Sequence, residues 1–209
     1  WVVLADRMPA PRLYASVRGG TTEVPHGHVD LTSFHAVVGG EKTIDSLGPA
    51  QYLDTTFSAR RWELFEMIPM SKNVLLADGV GITRPATVAT RTLRTPWGPA
   101  VRLDAAAALG GGGRRDNDGV LRYFRLFLLL PGTGLLVLDT VKRPHASLFE
   151  QRFFTPVRAT PQANGFLLQG ERQTATLACA CIEEAALHTA AAPLTQPSGP
   201  PPTMLRQVT

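Results

Sequence analysis

Long apolar runs are missing from this sequence. None exceeds six residues, and Leu126 to Leu130, which stops at Pro131, is far too short to cross a bilayer as a helix. No stretch reads as a secretory leader, since Trp1-Val-Val-Leu has no basic start and no extended apolar centre. A start at Trp1 without Met reads as a piece of a longer chain. Strong charge of one sign is absent: 21 Lys and Arg against 17 Asp and Glu leave a net +4, with the basic residues scattered. That balance suits an acidic partner but is no nucleic-acid footprint, and neither nucleic acid nor membrane is expected as a partner. Cysteine is scarce. Cys179 and Cys181 are one residue apart, and on a strand they would share a face roughly 7 Å apart, a poor geometry for a mutual disulfide. Two free, buried thiols are expected. Gly110 to Gly113 is not followed by Gly-Lys-Ser/Thr, so it is no phosphate-binding loop.

What is present is a globular composition. The chain has 209 residues, 44% apolar and 18% charged, which permits a sizeable core and excludes global disorder. Glycine (19) and proline (17) cut the chain at short intervals, leaving short runs rich in apolar and β-branched residues. Leu13–Val17, Leu31–Val38, Asn73–Leu76, Thr87–Leu93, Tyr123–Leu130, Leu135–Val141, Leu148–Phe154 and Gly165–Gln169 all read as strands. Gly39-Gly40 marks a two-residue hairpin, and Pro131 to Gly134 a second hairpin loop. The expected fold is all-β, a large antiparallel β-sandwich of supersandwich type with few or no helices. Ile182–Ala192, rich in alanine, is the best helix candidate. Gly110–Gly119 reads as a flexible connection. Pro193–Pro202 carries five prolines in ten residues, so residues 1–192 read as the domain and 193–209 as a Pro-rich tail or linker.

The most unusual stretch is Pro25-His26-Gly27-His28-Val29-Asp30. A spacing of two puts both imidazoles on one side of an extended segment, where they would line one cleft or share a metal. Gly27 permits a tight bend there. The plain alternative is two polar loop histidines bonded to carbonyls. His35 lies inside an apolar strand and reads as a satisfied packing or surface residue. Arg60 and Arg61 read as solvated charge, or as a grip on a sugar carboxylate. Trp62, Tyr52, Phe57 and Phe65 cluster around them, either packing the sandwich or stacking on sugar faces. With a two-residue turn at Gly39-Gly40, Val38 pairs with Glu41 and Phe34 with Asp45. His28 then lies roughly 20 Å from Asp45 along a straight strand, unless the chain folds back between Pro25 and Thr32.

Several blocks in order resemble the heparinase II/III-like family. They are His26-Gly-His-Val-Asp-Leu-Thr-Ser-Phe34, Gly40-Glu41, Asp45 with Gly48 and Tyr52, and Ser71-Lys72-Asn73-Val-Leu-Leu-Ala-Asp-Gly79. The family reads His-Gly-His-x-Asp-x-x-x-Phe, Gly-Glu, Asp-x-Gly-x-x-x-Tyr and His-Asn-x-x-x-x-x-Gly. Val137-Leu138-Asp139 resembles a recurring Val-x-Asp strand. The match covers residues 14–79 and thins toward about 155.

The resemblance implies the C-terminal β-sandwich of a polysaccharide lyase, whose usual N-terminal half is an incomplete α/α toroid. These 209 residues hold no such helical region. The implied chemistry is β-elimination on a uronic-acid-containing acidic glycan, a glycosaminoglycan or alginate, in the periplasm or secreted. His26 matches the sandwich's catalytic contribution, with Arg60, Arg61 and Trp62 as candidate substrate-binding residues. His28 and Asp45 match two ligands of a structural zinc, but Lys72 stands where the third, a histidine, belongs. A lysine binds zinc only as the neutral amine, and deprotonating it at neutral pH costs roughly 4.6 kcal/mol. An ammonium can instead pair with Asp45 and donate to His28 and to carbonyls, so little or no zinc is expected. The plain alternative is that Lys72 points to solvent. Two functions stay open: the sandwich portion of a lyase, inactive without its toroid, or a non-catalytic module that binds carbohydrate or packs against another domain.

Overall fold

The computed structural model describes residues 1–49, 51–109, 122–181, 185–195 and 201–209. Four antiparallel sheets build an all-β fold, as the punctuated apolar runs predict. The first orders β1 (Val2–Ala5), β2 (Leu13–Val17), β4 (Phe34–Val38) and β5 (Glu41–Ile44). The second orders β10 (Gly134–Lys142), β9 (Arg122–Leu130), β8 (Gly98–Asp104), β7 (Thr87–Thr95) and β3 (Gly20–Thr21). The third orders β15 (Ala186–Ala191), β16 (Thr203–Val208), β11 (Phe149–Thr155) and β6 (Leu75–Ala77). The fourth orders β12 (Arg158–Gln162), β13 (Gly165–Gln169) and β14 (Thr174–Ala178). The only helical pieces among the described residues are three short 3-10 turns, Ala59–Glu63, Phe65–Met67 and Pro69–Ser71.

Phe34 joins three sheets. Its ring meets Phe127 of β9 at 5.2 Å and Phe153 of β11 at 5.6 Å, both edge-on. That geometry suits the aromatic quadrupole, and each buried ring contributes roughly 1.5–3 kcal/mol by leaving water. Alternation on β9 turns Tyr123, Arg125, Phe127 and Leu129 inward, each fully buried. An arginine on that face requires a partner, and Asp139 stands directly opposite it on β10. Arg125 Nε and Nη2 donate to the two Asp139 oxygens at 2.8 and 2.6 Å. Its Nη1 donates to the carbonyls of Thr32 and Asn73 at 3.1 and 2.8 Å. The pair therefore ties the second sheet to the loops that flank the candidate site.

Three sequence expectations change. Alanine richness predicts a helix over Ile182–Ala192, but Ala186–Ala191 is β15, paired throughout with β16. Tertiary pairing outweighs the helix propensity of alanine there; residues 182–184 lie outside the described residues. The last part of 193–209 is no tail, because Thr203–Val208 sits inside the third sheet between β15 and β11. Met204 and Leu205 are buried, which fixes that strand. The cysteines are free, but Cys179 is only half-buried and Cys181 is exposed. Gly110–Gly119, read as a flexible connection, lies outside the described residues.

Candidate functional site

The loop between β3 and β4 carries the two neighbouring histidines. Gly27 N–H donates to the Val24 carbonyl at 3.2 Å and closes a turn. A Cβ on Gly27 would lie 2.7 Å from Val24 Cγ2 and 3.2 Å from the Val24 carbonyl oxygen, so the turn requires glycine. His26 sits at φ 56°, a left-handed conformation rare for residues with a side chain. Arg61 braces it: Nη2 donates to the carbonyls of His26 at 3.4 Å and Gly27 at 3.1 Å. The His26 ring is exposed and stands edge-on to Phe57 at 5.2 Å. Phe57 in turn tilts against Tyr52 at 5.0 Å. Tyr52 and Phe57 are 74% and 58% exposed, so neither packs the core.

Trp62 lies between two guanidinium groups, Arg61 at 4.8 Å and Arg84 at 4.3 Å from the ring centroid. Such cation–π contacts hold the indole while leaving cationic edges beside it. Arg60 takes no part: it forms a surface ion pair with Glu63 at 2.8 Å. Of the three candidate substrate-binding residues, Arg61 therefore stands next to His26, Trp62 lies against Arg61 and Arg84, and Arg60 is turned to its helical neighbour. Arg84 had no signal in the sequence, since it is 22 positions beyond Trp62 and reaches the site only through tertiary folding.

Beneath the loop, His28 is half-buried and Lys72 is wholly buried. Lys72 Nζ donates to His28 Nδ1 at 3.0 Å, to the Glu66 carbonyl at 2.7 Å and to the Leu47 carbonyl. Burial lowers the Lys72 pKa to about 8, against the opposing pull of Asp30, Glu66 and Asp45. It remains mostly an ammonium at neutral pH. Burial, then the charges of Lys72 and Arg61, lower His28 to about 4, so its imidazole is neutral and Nδ1 can accept. Asp30, beside Arg18 at 3.2 Å, is pushed up by burial despite the opposing charges of Arg18 and Lys72.

Asp45 does not join this group. Val38 pairs with Glu41 and Val37 with Lys42, as a two-residue turn requires, but Ala36 pairs with Ile44. Gly39 and Gly40 have φ of 57° and 81°, the turn that glycines favour. The irregularity at Thr43 shifts the register by one residue, which brings Asp45 opposite His35 rather than Phe34. Asp45 Oδ1 lies 2.5 Å from His35 Nδ1, and Oδ2 accepts from Lys42 Nζ at 2.9 Å. Burial pushes the Asp45 carboxyl up, but the hydrogen bonds and charges of His35 and Lys42 together hold it below the usual carboxylate range. A shared His28–Asp45 metal site is thus not what these residues form. The amine of Lys72 faces His28, and the Asp45 carboxylate is engaged elsewhere. Among the described residues no group of three His, Cys, Asp or Glu is gathered to hold a metal.

No family model matches the sequence, and no curated protein sequence matches it. Solved structures do share the fold. A heparinase III gene product matches with TM-score 0.73 at 14% identity, over 99% of this chain and 31% of that one. The heparan sulfate lyase HepC from Pedobacter heparinus gives 0.70 at 8% identity, over 94% of this chain and 30% of that one. A further heparinase III structure gives 0.66 at 10% identity, over 94% and 31%. The class is therefore an all-β domain of the kind found in glycan lyases. More narrowly, the chain has a heparinase-like fold, and it spans about a third of the length of the solved chains it matches.

Proposed function

We propose that this chain is the β portion of a polysaccharide lyase that cleaves uronic-acid-containing acidic glycans by β-elimination. The observation that carries the reading is His26: exposed, held in a left-handed backbone by Arg61, and set beside open aromatic faces and cationic edges. Phe57 and Tyr52 would stack on sugar faces. Arg61 and Arg84 would draw the uronate or sulfate groups toward Trp62. In the reaction a base takes the proton from C5, which the adjacent carboxylate acidifies once its charge is neutralised. The electron pair of that C–H bond forms the C4–C5 double bond, the C4–O bond breaks, and the departing oxygen takes a proton. The His26 imidazole would serve as that base or stabilise the enolate. The remaining acid and carboxylate-binding groups would come from an α/α toroid partner domain, in a periplasmic or secreted parent protein.

The isolated chain is therefore expected to be inactive. It would be incubated with heparin, heparan sulfate and alginate, and the ultraviolet absorbance of unsaturated uronate followed. Robust turnover by the chain alone refutes the split site. In the parent protein, His26→Ala is expected to abolish turnover while glycan binding persists. Turnover unchanged by His26→Ala would favour the second reading, a non-catalytic module that binds carbohydrate or packs against its neighbour. The short span of this chain relative to the lyases it matches keeps that reading in view.

A further inference from the structure

The proposed reaction does not use the buried amine below the His26 loop. Its three acceptors come from three separate segments: His28 from the loop before β4, Leu47 from the stretch after β5, and Glu66 from the 3-10 turns. An ammonium has three protons and no lone pair, so three acceptors saturate it. Gathering lone pairs from distant segments is what a structural divalent ion does in other domains. Here the carboxylate ligand such an ion would need has been turned away. The register shift at Thr43 places the Asp45 carboxylate on His35 and Lys42. A metal entering this place would have to displace a fully buried side chain that satisfies two backbone carbonyls.

We infer that the Lys72 side chain is a built-in cation at this place in the fold, locking the His26–Asp30 loop to the Leu47 and Glu66 segments so that this region folds without a metal. The inference does not depend on the proposed reaction. The 209-residue chain would be purified without added metal, its metal content measured, and its thermal unfolding recorded with chelator and with excess zinc. Expected are far less than one metal per chain and an unchanged midpoint in both additions. Lys72→Met is expected to lower the midpoint by about 6–20 °C. The ¹⁵N resonance of His28 Nδ1 reads the lock itself: it reports an acceptor nitrogen in the unmodified chain and moves in Lys72→Met. One zinc per chain, or a midpoint that falls with chelator, overturns the inference. So does a Lys72→Met variant as stable as the parent sequence, or an unmoved His28 resonance. Should Lys72→Met fail to fold, the metal and chelator measurements on the unmodified chain decide alone.

Discussion

The Arg125–Asp139 pair offers the sharpest test of what holds this fold together. Both side chains are almost completely buried, at 0% and 5% exposure. Asp139→Asn keeps the shape and removes the charge. Arg125, whose pKa the Asp139 carboxylate raises against the cost of burial, is then left charged in a closed interior. Breaking a buried pair from one side costs about 3–5 kcal/mol. Asp139 Oδ2 also accepts from Gln151 Nε2 at 2.6 Å, and weakening that bond adds about 1 kcal/mol. For a chain of this length each kcal/mol moves the midpoint by about 2–4 °C, so a fall of about 8–24 °C is expected. Replacing both partners, Arg125→Met with Asp139→Leu, removes the charges together and is expected to cost far less than the sum of the single changes. Part of the loss would remain, because Arg125 also serves the Thr32 and Asn73 carbonyls. Urea unfolding of the four proteins gives the coupling directly. A loss under about 1 kcal/mol in Asp139→Asn, or strict additivity in the cycle, would falsify the view that this pair is a closed ionic strut.

The two loop histidines should separate in stability: His26→Ala changes it by no more than about 0.5 kcal/mol, as expected for an exposed ring. His28→Ala costs about 1–3 kcal/mol, because an ammonium proton loses its acceptor, and equal small losses from both would mean that Lys72 does not depend on His28. Acid should weaken the fold through His28. Its folded pKa of about 4 lies below the ordinary 6.5, so between those values the unfolded chain binds a proton that the folded chain does not. Stability is then full above 6.5 and declines as pH falls toward 4, and an NMR titration of the His28 ring with a midpoint near 6.5 would refute this. Gly27→Ala should destabilise by about 1–3 kcal/mol as its Cβ meets Val24, measurable by urea unfolding; a neutral effect would show that the turn can open.

Much of the sheet architecture was legible because alternation and turn residues act locally. Leu13–Val17 and Gly165–Gln169 are strands over the same residues that the sequence pattern marks, and Gly39-Gly40 makes the hairpin it predicts. What was not legible depends on partners far away in the chain. Ala186–Ala191 is a strand only because Thr203–Val208 lies beside it, and nothing in an alanine run announces that neighbour. The same holds for β8, whose short stretch Ala100–Leu103, interrupted by Arg102, becomes a central strand through pairing on both edges.

The site divides in the same way, and one residue decides the division. His26-Gly27-His28 stood out by spacing, and the contact of Lys72 with His28 and with carbonyls follows from what a buried ammonium must find. Asp45 could not be placed by counting, because counting assumes a continuous ladder. In an unbroken hairpin Asp45 falls opposite Phe34, whose side chain faces the core. One extra residue at Thr43 moves it opposite His35, onto the other face. The carboxylate then finds an imidazole and Lys42 instead of the buried amine, while its own backbone carbonyl still accepts from Asn73 Nδ2 at 3.0 Å. The same residue thus bonds Asn73, the neighbour of Lys72 in the chain, with its backbone and turns away from the amine with its side chain. A single unpaired position in a short strand pairing is enough to change which charges share a site, and so which chemistry that site can hold.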